Sequence, residues 1–203
     1  MKIIAIGRNY AKHAKEMNSS VAEEPIVFMK PDTALLRNND PFYYPEFSKE
    51  IHHEVEIVVK INKVGKHIQE EFAHKYYNEI GIGIDFTARD IQRLHKEKGL
   101  PWEKAKSFDH SAAIGKFIDK SKFNDLNNLN FSLDINNKTV QAGNSKDMIF
   151  SIDNLIAHVS KYFTLKIGDL IYTGTPEGVS EVKIGDRLVA KIENEILLDF
   201  EIK

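Results

Sequence analysis

Eight short runs of β-type sequence, separated by turn residues and never fused into one long apolar stretch, set the strongest limit on how this chain can fold. They are Ile3 to Ile6, Ile26 to Met29, Glu54 to Ile61, Ile80 to Ile84, Phe131 to Ile135, Leu170 to Tyr172, Arg187 to Ile192 and Ile196 to Ile202. Strands this short are stable only when assembled into sheets that bury a face. Helical spacing is rarer: a short Tyr10 to Met17, a stronger Ala88 to Lys98, and Ser151 to Tyr162, where Ile152, Leu155, Ile156 and Val159 fall at core positions. No internal repeat or low-complexity segment is present, which disfavours solenoids and propellers. The pattern predicts a mixed α/β, β-rich fold, rolled or barrel-like, and no linker divides residues 1–203, so one domain is expected.

Composition removes several function classes. Apolar residues make up 42% of the chain against 29% charged, outside the regime that stays disordered. A net charge of −2 with scattered lysines gives no footprint for nucleic acid. Only five apolar residues precede Arg8, too few for a signal peptide, and no stretch is long enough to span a bilayer, so a cytoplasmic protein with no membrane partner is expected. On that expectation the sequons at Asn18-Ser19-Ser20 and Asn137-Lys138-Thr139 are chance matches. The absence of cysteine excludes disulfides, thiolate metal sites and cysteine nucleophiles; any metal must sit on oxygen or imidazole.

The densest chemical signal is the segment Glu50 to Ile61. Val55, Ile57, Val59 and Ile61 form one apolar strand face, so Glu54 and Glu56 project together from the other. Carboxylates at i and i+2 lie roughly 7 Å apart along a strand, close enough to share one cation and repulsive without it. Such hard oxygen ligands suit Mg, Mn or Ca. A solvated strand would show the same alternation. In Glu79 to Asp85 the isoleucines fill one face while Gly81, Gly83 and Asp85 share the other, adding a third carboxylate; glycine there marks close approach by a ligand or another chain segment. Gly81 and Gly83 lack the third glycine and the strand-to-helix turn of a dinucleotide fingerprint.

Weaker signals surround this cluster. Thr87-Ala88-Arg89-Asp90 has the spacing of a capping box that would start a helix ending near Gly99 and Pro101. Arg89 and Gln92 share a face at its N-terminus, suited to stabilising a carboxylate or enolate, though surface residues look alike. His13 and Glu16, three apart, can form a general-base dyad or an ordinary surface ion pair. His52 falls on the face of Glu54 and Glu56 and is a minor candidate for the metal site. Thr173-Gly174-Thr175-Pro176-Glu177-Gly178-Val179 follows a β run and offers N–H and O–H groups to an anion, or is simply a turn.

Taken in order, these segments resemble the fumarylacetoacetate hydrolase family, closest to its short acylpyruvase and oxaloacetate decarboxylase branch. The matching strings are Gly7-Arg8-Asn9-Tyr10 leading to His13 and Glu16, Phe28 to Pro31, His53 to Glu56, Asp85 to Gln92, Lys98 to Trp102, Ala105 to Asp109, and Thr173 to Val179. Ala113 and Ser145 depart from the proline and threonine common in relatives, changes expected to affect loop shape more than chemistry. The resemblance implies a β-roll of mixed sheets with a barrel-like core and a few helices, usually as a homodimer. It implies Glu54, Glu56 and Asp85 as ligands of one Mg2+ or Mn2+ ion, and His13, Glu16 and Lys106 as catalytic residues. Lys30, Arg89, Gln92 and Thr175 become substrate-binding residues.

The expected function is therefore metal-dependent cleavage of a C–C bond in acylpyruvates, yielding pyruvate and a carboxylic acid. Oxaloacetate decarboxylation, or isomerisation and hydration of 2-hydroxy-dienoate acids, are alternatives on the same site. A non-catalytic metal-binding β protein is the reading from another class, and the His13–Glu16 pair argues against it because metal binding alone needs no general base.

Overall fold

The computed structural model describes residues 1–17 and 20–203, so the sequon beginning at Asn18 lies outside the described residues. Along the chain run β1 (Ile3–Gly7), α1 (Ala11–Glu16), β2 (Ile26–Lys30), β3 (Leu35–Leu36), β4 (Ile51–His53), β5 (Val55–Ile61), α2 (Glu70–Ala73), β6 (Tyr77–Asp85), β7 (Thr87–Ala88), α3 (Arg89–Lys98) and α4 (Glu103–Lys106). There follow β8 (Ala112–Ile114), β9 (Ile118–Asp119), β10 (Asn130–Ile135), β11 (Lys138–Asn144), α5 (Ile152–Tyr162), β12 (Leu170–Tyr172), β13 (Ser180–Glu181), β14 (Arg187–Ile192) and β15 (Glu195–Glu201). Each of the eight β-type runs and three helical patterns read from the sequence is present.

The fold is mixed α/β and β-rich. Its largest sheet, in the order β2-β1-β12-β5-β6-β8-β3 with β9 added beside β6, curls into a half-barrel. β1 pairs parallel with β12 and β3 with β8, while the other contacts in it are antiparallel. A four-stranded sheet β11-β10-β14-β15 and a three-stranded sheet β13-β4-β7 complete the roll. The main core joins these sheets to α5: Ile57 and Val59 of β5, Ile80 and Ile82 of β6 and Leu133 of β10 meet Leu155 and Ile156. The opposite face of the large sheet carries a smaller cluster of Ile3, Ala5, Val58, Ala112, Leu170 and Tyr172. Burial on both faces explains why β5 is apolar at every position except Glu56 and Lys60.

Several elements differ from the sequence expectation, each for a local reason. β11 is polar and gives no alternation, yet it is a strand because the two-residue turn at Asn136 and Asn137, both at positive φ (50° and 67°), folds it back on β10. The helix α3 begins without the expected capping box. Its N-cap is Ala88, Thr87 is held in β7, and Asp90 accepts hydrogen bonds from the Ser48 hydroxyl (2.7 Å) and the Lys49 N–H (3.0 Å) instead. Gly99 ends α3 in the left-handed region as its position predicts. Ala113 does not shape a loop: it lies in β8, paired on both sides, and its carbonyl accepts the Tyr172 hydroxyl (2.9 Å). The Ser145 hydroxyl donates to Leu126 O and accepts from Leu129 N–H, both at 2.8 Å, tying the approach to β10.

Candidate active site

The antiparallel pairing of β5 and β6 builds the acidic cluster. Glu56 lies opposite Gly83, and the Asp85 N–H donates to the Glu54 carbonyl at 2.8 Å, so one end of one sheet face carries Glu54, Glu56 and Asp85. Ligand oxygens from the three lie within 4.8 Å of one another. Their exposures of 5%, 1% and 1% rule out the solvated-strand alternative. Gly83 is needed here: a Cβ would stand 2.6 Å from Tyr172 Cε1 and 2.7 Å from the Ala113 carbonyl, so another chain segment, Tyr172, takes the space beside the carboxylates.

Three buried cations face this cluster. Lys106 Nζ meets Glu54 Oε2 at 2.7 Å and Asp85 Oδ2 at 2.8 Å, Lys30 Nζ lies 2.7 Å from Asp85 Oδ1, and Arg89 donates to Glu54 Oε1 at 2.6 Å. Burial alone would raise the Glu54 pKa, but Lys106 and Arg89 hold its carboxyl well below the usual carboxylate range. Glu56 goes the other way: burial, then Asp85 and Glu54, push it well above that range, and the partner found for it is the Gly174 N–H at 2.7 Å. Lys30 is lowered by burial despite Asp85, whereas Asp85 and Glu54 keep Lys106 raised against its own burial.

The donor set fits a hard divalent ion, because it offers converging carboxylate oxygens, one of them in a position where negative charge is uncompensated. Ionised, the three carboxylates balance Lys30, Lys106 and Arg89, so a divalent ion would leave a surplus positive charge for an anionic ligand to neutralise.

His13 reaches the same cavity from α1. Its Nδ1 lies 3.1 Å from Glu16 Oε2, while Glu16 Oε1 accepts the Gly178 N–H at 3.0 Å. Backbone N–H groups of the Thr173 to Val179 segment thus serve the site's own carboxylates, Glu56 and Glu16. The cavity, about 40 Å³, is lined by His13, the acidic cluster, Arg89 and Lys106 among others. A roomier cavity of about 490 Å³ opens at the far end of the same sheet face, by Lys60, Phe117 and Leu170, but lacks a clustered set of carboxylates and imidazole among the described residues, which makes the smaller one the candidate site.

Of the remaining expected residues, Arg89 and Gln92 line the cavity together, joined by a 2.6 Å bond from the guanidinium to Gln92 Oε1. Lys30 sits behind Asp85, outside the cavity wall, bonded to the Lys106 carbonyl and to Ser111. Thr175 is on the wall, but its hydroxyl donates to the Val55 carbonyl (2.9 Å) and accepts from Gln141 (2.9 Å). His52 stands away from the acidic cluster because the strand breaks at Glu54; it bonds Glu50 (3.0 Å) and lies 3.4 Å from Arg89 Nε.

Sequence reasoning missed a buried brace. Gln141 Oε1 accepts from the Val55 N–H (3.0 Å) and pairs with His53 Nδ1 (2.8 Å), while its Nε2 donates to Thr175 Oγ1 and the Pro176 carbonyl. The Gln141 oxygen makes His53 Nδ1 the protonated nitrogen, so Nε2 accepts from the Ser180 hydroxyl at 2.8 Å. No local signal marks Gln141, which lies far away in the polar β11. Phe28 and Trp102, packed edge to face at 5.7 Å, add an apolar wall that was likewise missed.

Comparison with known proteins decides the family. The chain matches the fumarylacetoacetate (FAA) hydrolase C-terminal domain over residues 2–199. It belongs to the fumarylacetoacetate hydrolase family. Among family relatives it is 43% identical over 201 residues to the mitochondrial oxaloacetate tautomerase FAHD1 of Mus musculus, covering 99% of this chain and 91% of that one. Oxaloacetate tautomerase YcgM of Escherichia coli K12 is 43% identical over 197 residues, 97% and 90% of the two chains. Fumarylpyruvate hydrolase from Pseudomonas aeruginosa, crystallised with Mn2+ and pyruvate, superposes with a TM-score of 0.94 at 33% identity over 100% of this chain and 89% of that one. A family protein from Yersinia pestis gives 0.96 at 39% identity, over 100% and 93%. The chain is an enzyme of this family with its β-roll fold.

Proposed function

We propose that this enzyme interconverts the enol and keto forms of oxaloacetate, using a divalent ion held by Glu54, Glu56 and Asp85. The observation that carries the reading is a Glu16-held imidazole, His13, buried in one cavity with a three-carboxylate cluster. The names of the two relatives at 43% identity support the choice of substrate. When bound, Mg2+ or Mn2+ supplies Lewis-acid polarisation of the 2-oxo acid.

The protein's own groups account for the proton transfers. With Nδ1 turned to Glu16, His13 keeps Nε2 as its base. Nε2 takes a proton from C3 of the keto acid; the C–H electrons form the C2=C3 bond and the carbonyl pair moves to the C2 oxygen. Returning the proton to that oxygen gives the enol, and the reverse order gives the ketone. Arg89 and Lys106 oppose the negative charge that builds on the oxygen. Gln92, whose Oε1 is occupied by Arg89, has its amide N–H groups to donate. No water is consumed.

A second reading, hydrolysis of acylpyruvates, draws support from the P. aeruginosa fumarylpyruvate hydrolase. There His13 would take a proton from water attacking the distal carbonyl, and the C–C bond would break to give pyruvate and a carboxylic acid. The homodimer is part of the proposal too and is checked by light scattering of the purified protein. The deciding experiment follows loss of enol absorbance from oxaloacetate and pyruvate release from acetylpyruvate on one Mg2+-loaded preparation. Tautomerisation should dominate, and His13→Ala should slow it by about 100-fold or more while metal binding survives. Parental rates in His13→Ala would remove the base; acetylpyruvate cleavage as the faster reaction would favour the hydrolase.

A further inference from the structure

Arg8 holds an unusual backbone conformation beside the cavity. Its φ is +59°, in the left-handed region, which an arginine occupies at a cost of order 1 kcal/mol and which asparagine or glycine adopts more readily. The kink does not require an arginine, because the next residue fixes it. Asn9 donates from Nδ2 to the Phe150 and Thr173 carbonyls (3.0 and 2.8 Å) and accepts the Phe150 N–H at Oδ1 (2.8 Å). A strained arginine whose fold role is carried by its neighbour points to a task for its side chain.

Arg8 lies on the wall of the cavity that holds His13 and Lys106, together with Lys96 from α3. The other two cations of that wall are engaged, Arg89 by Glu54 and Lys106 by Glu54 and Asp85. Neither the Arg8 guanidinium nor the Lys96 ammonium has an ion pair or hydrogen bond among the described residues. Burial, then the charges of Arg8 and Arg89, lower the Lys96 pKa against a smaller opposing pull from Glu54, so cations crowd this rim.

We propose that Arg8 and Lys96 are the specificity site for a second carboxylate, selecting dicarboxylate 2-oxo acids over monocarboxylates of the same skeleton. This rests on the 2-oxo acid reading above. The 2-oxo acid end belongs with the metal-binding carboxylates, and the far carboxylate goes to the rim, where a guanidinium offers a forked pair of donors.

The test is calorimetric binding of oxaloacetate and of 2-oxobutanoate, which carries a methyl group in place of the second carboxylate, to the Mg2+-loaded protein. The parent should prefer oxaloacetate by about 10-fold or more, and Arg8→Asn, which keeps a residue suited to the left-handed kink, should remove most of that preference, a loss of about 10-fold or more as for a charged hydrogen bond. Lys96→Gln, on the exposed side of α3, should cut it a few-fold, roughly as for a solvent-screened charge. Lys98→Gln removes the same charge outside the cavity and should leave the preference as it was. An Arg8→Asn protein with the parental preference, or an equal loss for Lys98→Gln, overturns the proposal. Deuterium exchange at C3 of each acid is read separately: if selectivity falls as expected but the parent exchanges neither acid, the tautomerase reading fails while the carboxylate site stands.

Discussion

Glu54, at the break between β4 and β5, and Glu56, two positions on, are held in opposite charge regimes by their neighbours. Lys106 and Arg89 reach the first, whereas burial and two carboxylates press on the second, so only the second has a strong need for an added cation. His53, between the strand break and the brace, has a titration that should show in stability. Burial pushes its pKa down to about 4 from near 6.5, although Gln141 acts the other way. The unfolded chain therefore binds a proton between those values that the native protein refuses. Its contribution is complete above about pH 6.5 and is lost as pH falls towards 4. Thermal melts across this window should show a smaller acid-induced drop in His53→Gln than in the parent, and an identical drop would show that His53 is not a source of acid sensitivity.

At the scale of elements, the site is a product of register. β5 and β6 bring three carboxylates together only because Glu56 faces Gly83, and a slip of one residue would send Glu56 to the apolar face. The tight contact of Gly83 with Tyr172 and the Ala113 carbonyl locks β6 against β12 and β8. Gly83→Ala should therefore destabilise the fold by about 1–3 kcal/mol through overpacking, read as a lower denaturation midpoint, and should weaken Mg2+ binding by moving Asp85. A parental midpoint with parental affinity would mean that β6 yields freely and that the register argument is wrong. The loop after β12 has a parallel role, since Gly174, at φ +102°, brings its N–H to Glu56.

For the whole molecule, the proposed ion would matter to stability as well as to chemistry. Saturating Mg2+ at about one hundred times its dissociation constant should raise stability by about 2.7 kcal/mol, seen as a higher melting temperature that EDTA reverses. Glu56→Gln should melt at or above the parental temperature without metal, because it removes a buried acid under like-charge pressure, and should lose the response to Mg2+. A full Mg2+ response in Glu56→Gln would take Glu56 out of the ligand set. No helix among the described residues is long and apolar enough to cross a membrane.

Much of this was legible in the sequence because it follows from local rules. Alternation along Val55 to Ile61 fixes which face Glu54 and Glu56 share, the isoleucines before Asp85 do the same for β6, and helical spacing joins His13 to Glu16 and Arg89 to Gln92. Other features were hidden because their partners are distant in the chain. β11 is a strand through its turn and its pairing with β10, not through its own propensity, and Gln141 gains its role only when that strand lies beside His53 and Thr175. Likewise the proposed capping box failed because Ser48 and Lys49, 42 and 41 residues earlier, compete for Asp90. The sequence by itself determined the element types and the residues that share a face, since backbone periodicity acts over a few positions. Only the tertiary structure decided burial, which places Lys30 behind Asp85, sets Glu54 and Glu56 apart in charge, and leaves Arg8 and Lys96 without an ion pair among the described residues, because electrostatics and desolvation depend on what lies nearby in space.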